Sequence, residues 1–349
     1  MKLFALTGVL LCLPGYVVVA GIINQLVVFG DSLSDNGNAA AALASQGKTF
    51  GNYAANAVTD GPNTMPSTRG PFGLWVDQFS TKFGLADPKP FVVDTPTGLA
   101  INPAATNFAV ADALTGHNPN FNQQNFTSTM AIPGTTDQVA IYNTLNHNTA
   151  SASALYSFWA GANDIIQALT TNPLNIIGDS ISAADNIESD IKTLAGEGAK
   201  NFLWFNMPPL GDTPRAQSAG PLVVAAANAA ALAFNAEMTG DVASLTRSLG
   251  IDLVDIDTHS LVSDMIANPA KYEFTNVTDA AQGLNVNPNE YLFWDGIHPT
   301  TQADAFIAQL VETDISGRFT AAPEPSSLLF AGFGLLTLCA GMRFRRAKN

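Results

Sequence analysis

Leu26-Val27-Val28-Phe29-Gly30-Asp31-Ser32-Leu33 is the stretch whose reading decides the fold. Its first four residues are apolar and rich in β-formers, Gly-Asp-Ser punctuates them as a turn, and the alanine-rich run 39–44 reads as helix. Strand, turn and helix in that order place Ser32 at the carboxyl edge of a sheet, its own N–H near a helix N-terminus, where a nucleophile is useful. The same turn also serves as a helix cap, with Asp31 or Ser32 satisfying the first free N–H groups. Taken alone, the segment does not choose.

Outward from it, strand-like runs recur at 106–109, 155–159, 202–205 and 251–256. Helical spacing appears at 72–83, 136–145, 164–169, 179–194, 223–249 and 302–311. This alternation predicts an α/β fold with a mostly parallel sheet covered on both faces, and ligands outside the carboxyl ends of the strands. Residues 51–70 carry Asn, Thr, Pro and Gly without periodicity and read as a long loop. With no internal repeat and no low-complexity linker, residues 21–322 read as one domain.

The 349 residues are 47% apolar and 13% charged, enough to bury a sizeable core. Fifteen basic against 29 acidic residues, a net charge of -14, exclude an electrostatic grip on nucleic acid or anionic lipid. Both ends stand apart from the body. Lys2, the apolar run 3–13 and small residues up to Ala20 have the layout of a secretory signal peptide cleaved after Ala20, against the alternative of a buried first element. At the other end, Pro323-Glu324-Pro325-Ser326-Ser327 precedes an apolar stretch 328–342 and then Arg343, Arg345, Arg346 and Lys348. That stretch is short against the roughly 20 residues of a spanning helix, and the basic cluster belongs on the cytoplasmic side. With the cuts after Ala20 and Pro325, ten basic and 29 acidic residues remain, a net charge of -19. Cys12 and Cys339 both lie in the ends, so the body has no disulfide, no thiol nucleophile and no Cys-based zinc site.

A serine hydroxyl needs an adjacent base, and four histidines are available: His117, His147, His259 and His298. His298 sits in Trp294-Asp295-Gly296-Ile297-His298-Pro299-Thr300, where a carboxylate three residues before an imidazole can fix its tautomer and leave the other ring nitrogen for Ser32. The alternative is a capping turn for the last helix. In Trp159-Ala160-Gly161-Ala162-Asn163-Asp164, the Asn163 amide at a strand's carboxyl edge suits a developing oxyanion, and Asn163 or Asp164 can equally cap a helix.

Gly30-Asp31-Ser32-Leu33, Gly161-Ala162-Asn163-Asp164 and Asp295-Gly296-Ile297-His298-Pro299, in that order, together resemble the GDSL or SGNH hydrolase family. The likeness extends to the full first block 28–38, to Asn107-Phe108-Ala109-Val110 as a second block, to Asn206-Met207-Pro208-Pro209-Leu210-Gly211 after a strand, and to Phe274-Thr275-Asn276-Val277-Thr278 as a late loop. The resemblance implies a three-layer α/β/α sandwich, flavodoxin-like, with a mostly parallel sheet. It implies Ser32 as nucleophile, His298 as base and then acid, and Asp295 as the group orienting His298. The oxyanion would be held by the N–H of Ser32, the Asn163 amide and a backbone N–H of the second block. There the family usually has glycine and this chain has Ala111-Asp112, with a carboxylate that opposes the charge to be stabilised.

No metal or organic cofactor enters such chemistry, and the implied substrate is a lipid or other carboxylic ester. The carboxyl end resembles a PEP-CTERM sorting signal, which implies processing by an exosortase-type enzyme and passage from a Gram-negative cell to its surface, the exterior or its polysaccharide matrix. Two rival expectations follow: an O-acetyl esterase acting on extracellular polysaccharide, and an impaired hydrolase scaffold, its oxyanion hole spoiled by Asp112, that binds the matrix. The segments 52–70 and 117–124 are candidates for the mouth of the pocket, while Trp75, Phe108 and Trp294 read equally as core.

Overall fold

The computed structural model describes residues 21–60, 73–122 and 131–321. The expected signal peptide (1–20) and sorting segment (323–349), the second half of the loop 51–70 and the last residues of the segment 117–124 lie outside them.

The chain opens with two strands, β1 (Gly21–Ile23) and β2 (Gln25–Gly30), and the helix α1 (Asn38–Ala44). The expected helix 72–83 begins three residues later, as α2 (Trp75–Phe83), with the Asp77 carboxylate accepting from the Leu74 N–H at its start. A hairpin not read from the sequence follows, β3 (Val92–Thr95) and β4 (Gly98–Ile101), then α3 (Thr135–Leu145). The second half alternates as expected: β5 (Ala154–Trp159), α4 (Ala162–Thr171) and α5 (Ile176–Gly196); then β6 (Asn201–Phe205), α6 (Pro214–Ala219) and α7 (Pro221–Leu249). After them come β7 (Asp252–Ile256), α8 (Thr258–Ala267), β8 (Asn276–Ala280), β9 (Tyr291–Phe293), α9 (Thr301–Ile315) and β10 (Phe319–Ala321). The segment matched to a late loop is in part the strand β8, and β1 pairs with β10, which the sequence reading did not foresee.

β2, β5, β6 and β7 pair in that order, all parallel. Such strands are buried on both faces and read as near-continuous apolar runs, as in Ala154-Leu155-Tyr156-Ser157-Phe158-Trp159, where only Ser157 interrupts. Alternate side chains serve opposite layers. Val27, Phe29, Tyr156, Phe158, Phe202 and Trp204 pack under α3, α5 and α7, while Leu26, Val28, Leu155, Trp159, Leu203 and Phe205 pack under α2 and α9. This is the expected α/β/α sandwich.

The expected strand 106–109 is not a full ladder, but the chain there runs parallel to the free edge of β2. Val28 donates to the Thr106 carbonyl at 2.8 Å, Phe108 to Val28 at 2.8 Å and Val110 to Gly30 at 3.1 Å. Counted as a strand, it gives the flavodoxin-like order 2-1-3-4-5. Connections leave β2 in opposite directions, and a crevice opens at the carboxyl ends of β2 and β5, the topological switch point where such sheets bind ligands.

Candidate active site

Ser32 follows β2 and Asn163 follows β5, two strands paired from Gln25 opposite Ala154 to Gly30 opposite Trp159, so both residues lie at the switch point. Gly30 must be glycine: a Cβ there would meet the Trp159 carbonyl oxygen at 2.2 Å, and its φ is +154°. Gln138 of α3 bridges the end of β2, accepting from the Gly30 N–H at 2.9 Å and donating to the Gly30 carbonyl at 2.8 Å.

The Asp295–His298 turn is closed by the Trp294 N–H on the His298 carbonyl, 2.8 Å. It brings His298 Nε2 to 2.8 Å from Ser32 Oγ, across 266 residues of chain, and His298 Nδ1 to 2.7 Å from Asp295 Oδ2. Asp295 Oδ1 accepts from the N–H groups of Ile297 (2.8 Å) and His298 (2.7 Å). Burial works against the charge on Asp295, but the hydrogen bond and charge of His298 with these two N–H bonds outweigh it, and the carboxyl is held well below the usual carboxylate range. An ionised Asp295 only accepts, so Nδ1 carries the proton and Nε2 is left to accept from the Ser32 hydroxyl. The remaining histidines are elsewhere: His117 pairs with Asp137, His259 Nδ1 lies 3.2 Å from the Met207 carbonyl, and His147 sits in the turn after α3.

The capping alternatives are resolved by the bonds themselves. Asp35, not Asp31 or Ser32, takes the free N–H groups at the start of α1, accepting from Gly37, Asn38 and Ala39. Thr300 caps α9. At α4 the cap position is Gly161, at φ +109°, where a Cβ would come 2.8 Å from Phe234. Asn163 instead donates one amide hydrogen to the Ala113 carbonyl at 3.0 Å, and Asp164 accepts from the Thr115 N–H and hydroxyl. Both tie α4 to the loop after residue 110.

The second block is held by side chains of the first. Asn38 donates to the carbonyls of Asn107 and Ala109, Asn107 donates to Ser34, and Asp35 Oδ2 accepts from the Ala111 N–H at 2.9 Å. Ala111 is thereby corrected as an oxyanion donor: its N–H is already engaged. Asp112 is the open member of the pair. Its φ of +65° is the left-handed conformation that favours glycine, and among the described residues no acceptor meets its N–H or that of Ser32.

Two residues at the site were not singled out as active-site residues. The Tyr53 hydroxyl donates to Asp295 Oδ2 at 2.8 Å, the same oxygen that receives His298 Nδ1. Its loop lies within the segment expected at the mouth, but no local pattern marks it. Asp31, buried beside Ser32, has its carboxyl pushed up to about 7 by burial, against the Leu33 N–H bond and the His298 charge. Ser32, Asn163 and His298 line a cavity of about 60 Å³ whose remaining wall is mostly apolar, with Leu210, Met265 and Leu292 among it. Trp75 and Phe108 are core, as is Trp294, 6% exposed. Elsewhere, the carboxylates of Asp185, Glu237 and Asp241 lie within 4.8 Å of one another at a partly exposed position.

The arrangement can pass a proton from the Ser32 hydroxyl to the His298 imidazole, giving an imidazolium held by Asp295, with N–H groups beside the hydroxyl that meet no acceptor among the described residues. Compared with known proteins, the chain matches the family model described as GDSL-like Lipase/Acylhydrolase over residues 26–311. A GDSL esterase/lipase of Arabidopsis thaliana is 27% identical over 188 residues, 46% of this chain and 53% of that protein. The match thus spans about half the length of that relative. A second one from the same plant is 28% identical over 347 residues, covering 89% of this chain and 88% of its own length. A third Arabidopsis relative, 25% identical over 82% of this chain and 70% of its own, is named an inactive GDSL esterase/lipase-like protein.

Proposed function

The chain belongs to the GDSL-like lipase/acylhydrolase family, and from that premise we propose that it is a serine esterase hydrolysing carboxylic esters through an acyl-enzyme on Ser32. One observation carries the reading: the relay from Ser32 Oγ to His298 Nε2 and from His298 Nδ1 to Asp295, at 2.8 and 2.7 Å. Since one relative bears the name of an inactive protein, membership alone does not decide activity; an assembled relay favours it.

In the proposed mechanism Ser32 Oγ attacks the ester carbonyl as His298 Nε2 takes its proton, and the imidazolium is stabilised by Asp295. The carbonyl oxygen, now an anion, accepts from the N–H groups of Ser32 and Asp112 and the second amide hydrogen of Asn163; losing one such donor costs about 10²–10³ in rate. The C–O bond to the alcohol breaks as His298 returns the proton to the leaving oxygen. Water then loses a proton to His298 and attacks the acyl carbon, and the bond to Ser32 Oγ breaks as His298 returns that proton to Oγ, releasing the carboxylic acid and Ser32. Every step uses groups of this chain and water.

The test is hydrolysis of p-nitrophenyl esters by residues 21–325, with Ser32→Ala as control. Loss of the activity in that variant supports the reading, and a folded protein inert on every ester overturns it. We extend the proposal to export: the layouts of residues 1–20 and 323–349 support passage to the cell surface or exterior of a Gram-negative cell, with an exosortase-type enzyme acting near Pro325. The mass of the protein recovered from the medium of such a host tests it; retention of both ends would overturn it.

A further inference from the structure

Behind the cavity at Ser32 lies a second one, of about 270 Å³, and Ile166, Leu210, Thr213 and Ile297 line both. The two chambers are therefore back to back, separated by the side chains of α4, of the turn after β6 and of the turn that carries His298. The far chamber is framed by Leu169 of α4, Ala216 of α6 and Val223 and Ala227 of α7. Among its described lining residues Arg215, an exposed side chain, carries the one charge. Small side chains on α6 and α7 leave the space open, and its lining is mostly apolar, with Thr170, Thr213 and Arg215 as the polar members.

We propose that this second chamber receives the acyl chain of the substrate, and that the enzyme acts on medium-chain fatty acyl esters of about eight to ten carbons. The inference rests on the esterase reading and deepens it. At roughly 30 Å³ for each water-sized group, the near cavity holds about two such groups, an acetyl unit, and the far one about nine more. A largely apolar chamber suits the part of the substrate that stays through the acyl-enzyme; the alcohol must depart to solvent. Each methylene accommodated in such a pocket changes kcat/KM by about tenfold or more, so an enzyme built only for acetyl groups gains nothing from the space beyond Ile166.

The experiment compares two series on residues 21–325: p-nitrophenyl esters from acetate to palmitate, in which the acyl part grows, and alkyl acetates, in which the alcohol grows. The ratio of kcat/KM on decanoate to that on acetate is expected to exceed about 100, with no comparable dependence in the alcohol series. Val223→Trp, which fills the far chamber from a half-buried position, is expected to lower that ratio at least tenfold, and Ile166→Ala, which opens the partition, to raise it. Because the readout is a ratio, a variant that merely folds poorly lowers both values and leaves it unchanged. Acetate hydrolysis that depends on Ser32 with an optimum at acetate would leave the esterase reading intact and overturn the acyl chamber, as would a ratio unmoved by both variants. No hydrolysis of any ester would overturn both.

Discussion

Removing the Tyr53 hydroxyl by Tyr53→Phe tests whether the relay is tuned from outside the triad. The hydroxyl donates to Asp295 Oδ2 at 2.8 Å, and the same oxygen holds His298 Nδ1 at 2.7 Å. A hydrogen bond to a charged acceptor contributes about 1.5–3 kcal/mol net. Only part of that reaches the transition state, because Asp295 keeps the N–H bonds of Ile297 and His298 on its other oxygen. We take about 1 kcal/mol, lost because the carboxylate, and with it the imidazole, is held less firmly for the proton transfer, roughly a fivefold fall in kcat/KM.

The pH profile has a definite sign. Without the hydroxyl, more negative charge on Oδ2 faces the imidazole, so kcat/KM of the variant is expected to fall further behind the parent as pH is lowered along the acid limb. Asp31 and Asp112 are the other charges near this pair: His298 lowers the former, and the latter acts on Tyr53. The assay is kcat/KM against pH on one p-nitrophenyl ester for the parent, Tyr53→Phe, Asp295→Asn and the double variant. With Asp295 uncharged, the second removal of the hydroxyl is expected to leave the acid limb where it was. A limb that does not move in Tyr53→Phe, or one that moves equally on the Asp295→Asn background, refutes the reasoning.

Asp112→Gly relieves a left-handed non-glycine residue, worth about 1 kcal/mol, while the freer unfolded chain takes back about as much, so the melting temperature stays within a few degrees. Its kcat is expected to rise, since a carboxylate beside the oxyanion is gone; slower hydrolysis contradicts this. Gly30→Ala drives a Cβ into the Trp159 carbonyl and must part β2 from β5, so thermal unfolding should show a loss of about 2 kcal/mol or more and activity should fall with it; an unchanged melting temperature refutes the clash. Asp31 and Asp190 are both pushed up to about 7 by burial, so the folded state holds their protons where the unfolded chain does not. The stability they contribute is complete below the ordinary carboxylate range and is lost as pH rises through about 7. The unfolding free energy is therefore expected to be larger at pH 5 than at pH 8, by up to on the order of 2 kcal/mol for each group, and a melting temperature that rises from pH 5 to 8 would refute it.

What was legible in the sequence is what is encoded locally or by burial. The central strands β2, β5 and β6 are covered on both faces, so each reads as a near-continuous apolar run, β7 is broken by the exposed Asp255, and the helices between them show their own spacing. Asp295 and His298 are three residues apart in one turn, and the Gly-Asp-Ser turn follows its strand directly, so their chemistry could be read before their geometry. The pairing of strands could not, because the central parallel ladders join residues from 46 (Leu155 with Asn201) to 129 (Gln25 with Ala154) positions apart and leave no trace in either segment. The same holds for Tyr53, 242 residues from the carboxylate it touches, and for Gln138, 108 residues from Gly30. Only the tertiary structure decided between Ala111 and Asp112, since which N–H stays open depends on where the Asp35 carboxylate folds back. The chambers behind Ser32 are likewise a tertiary product: they are the space left among α4, α6, α7 and two turns, and a space between elements is a property of their packing rather than of any one stretch of chain.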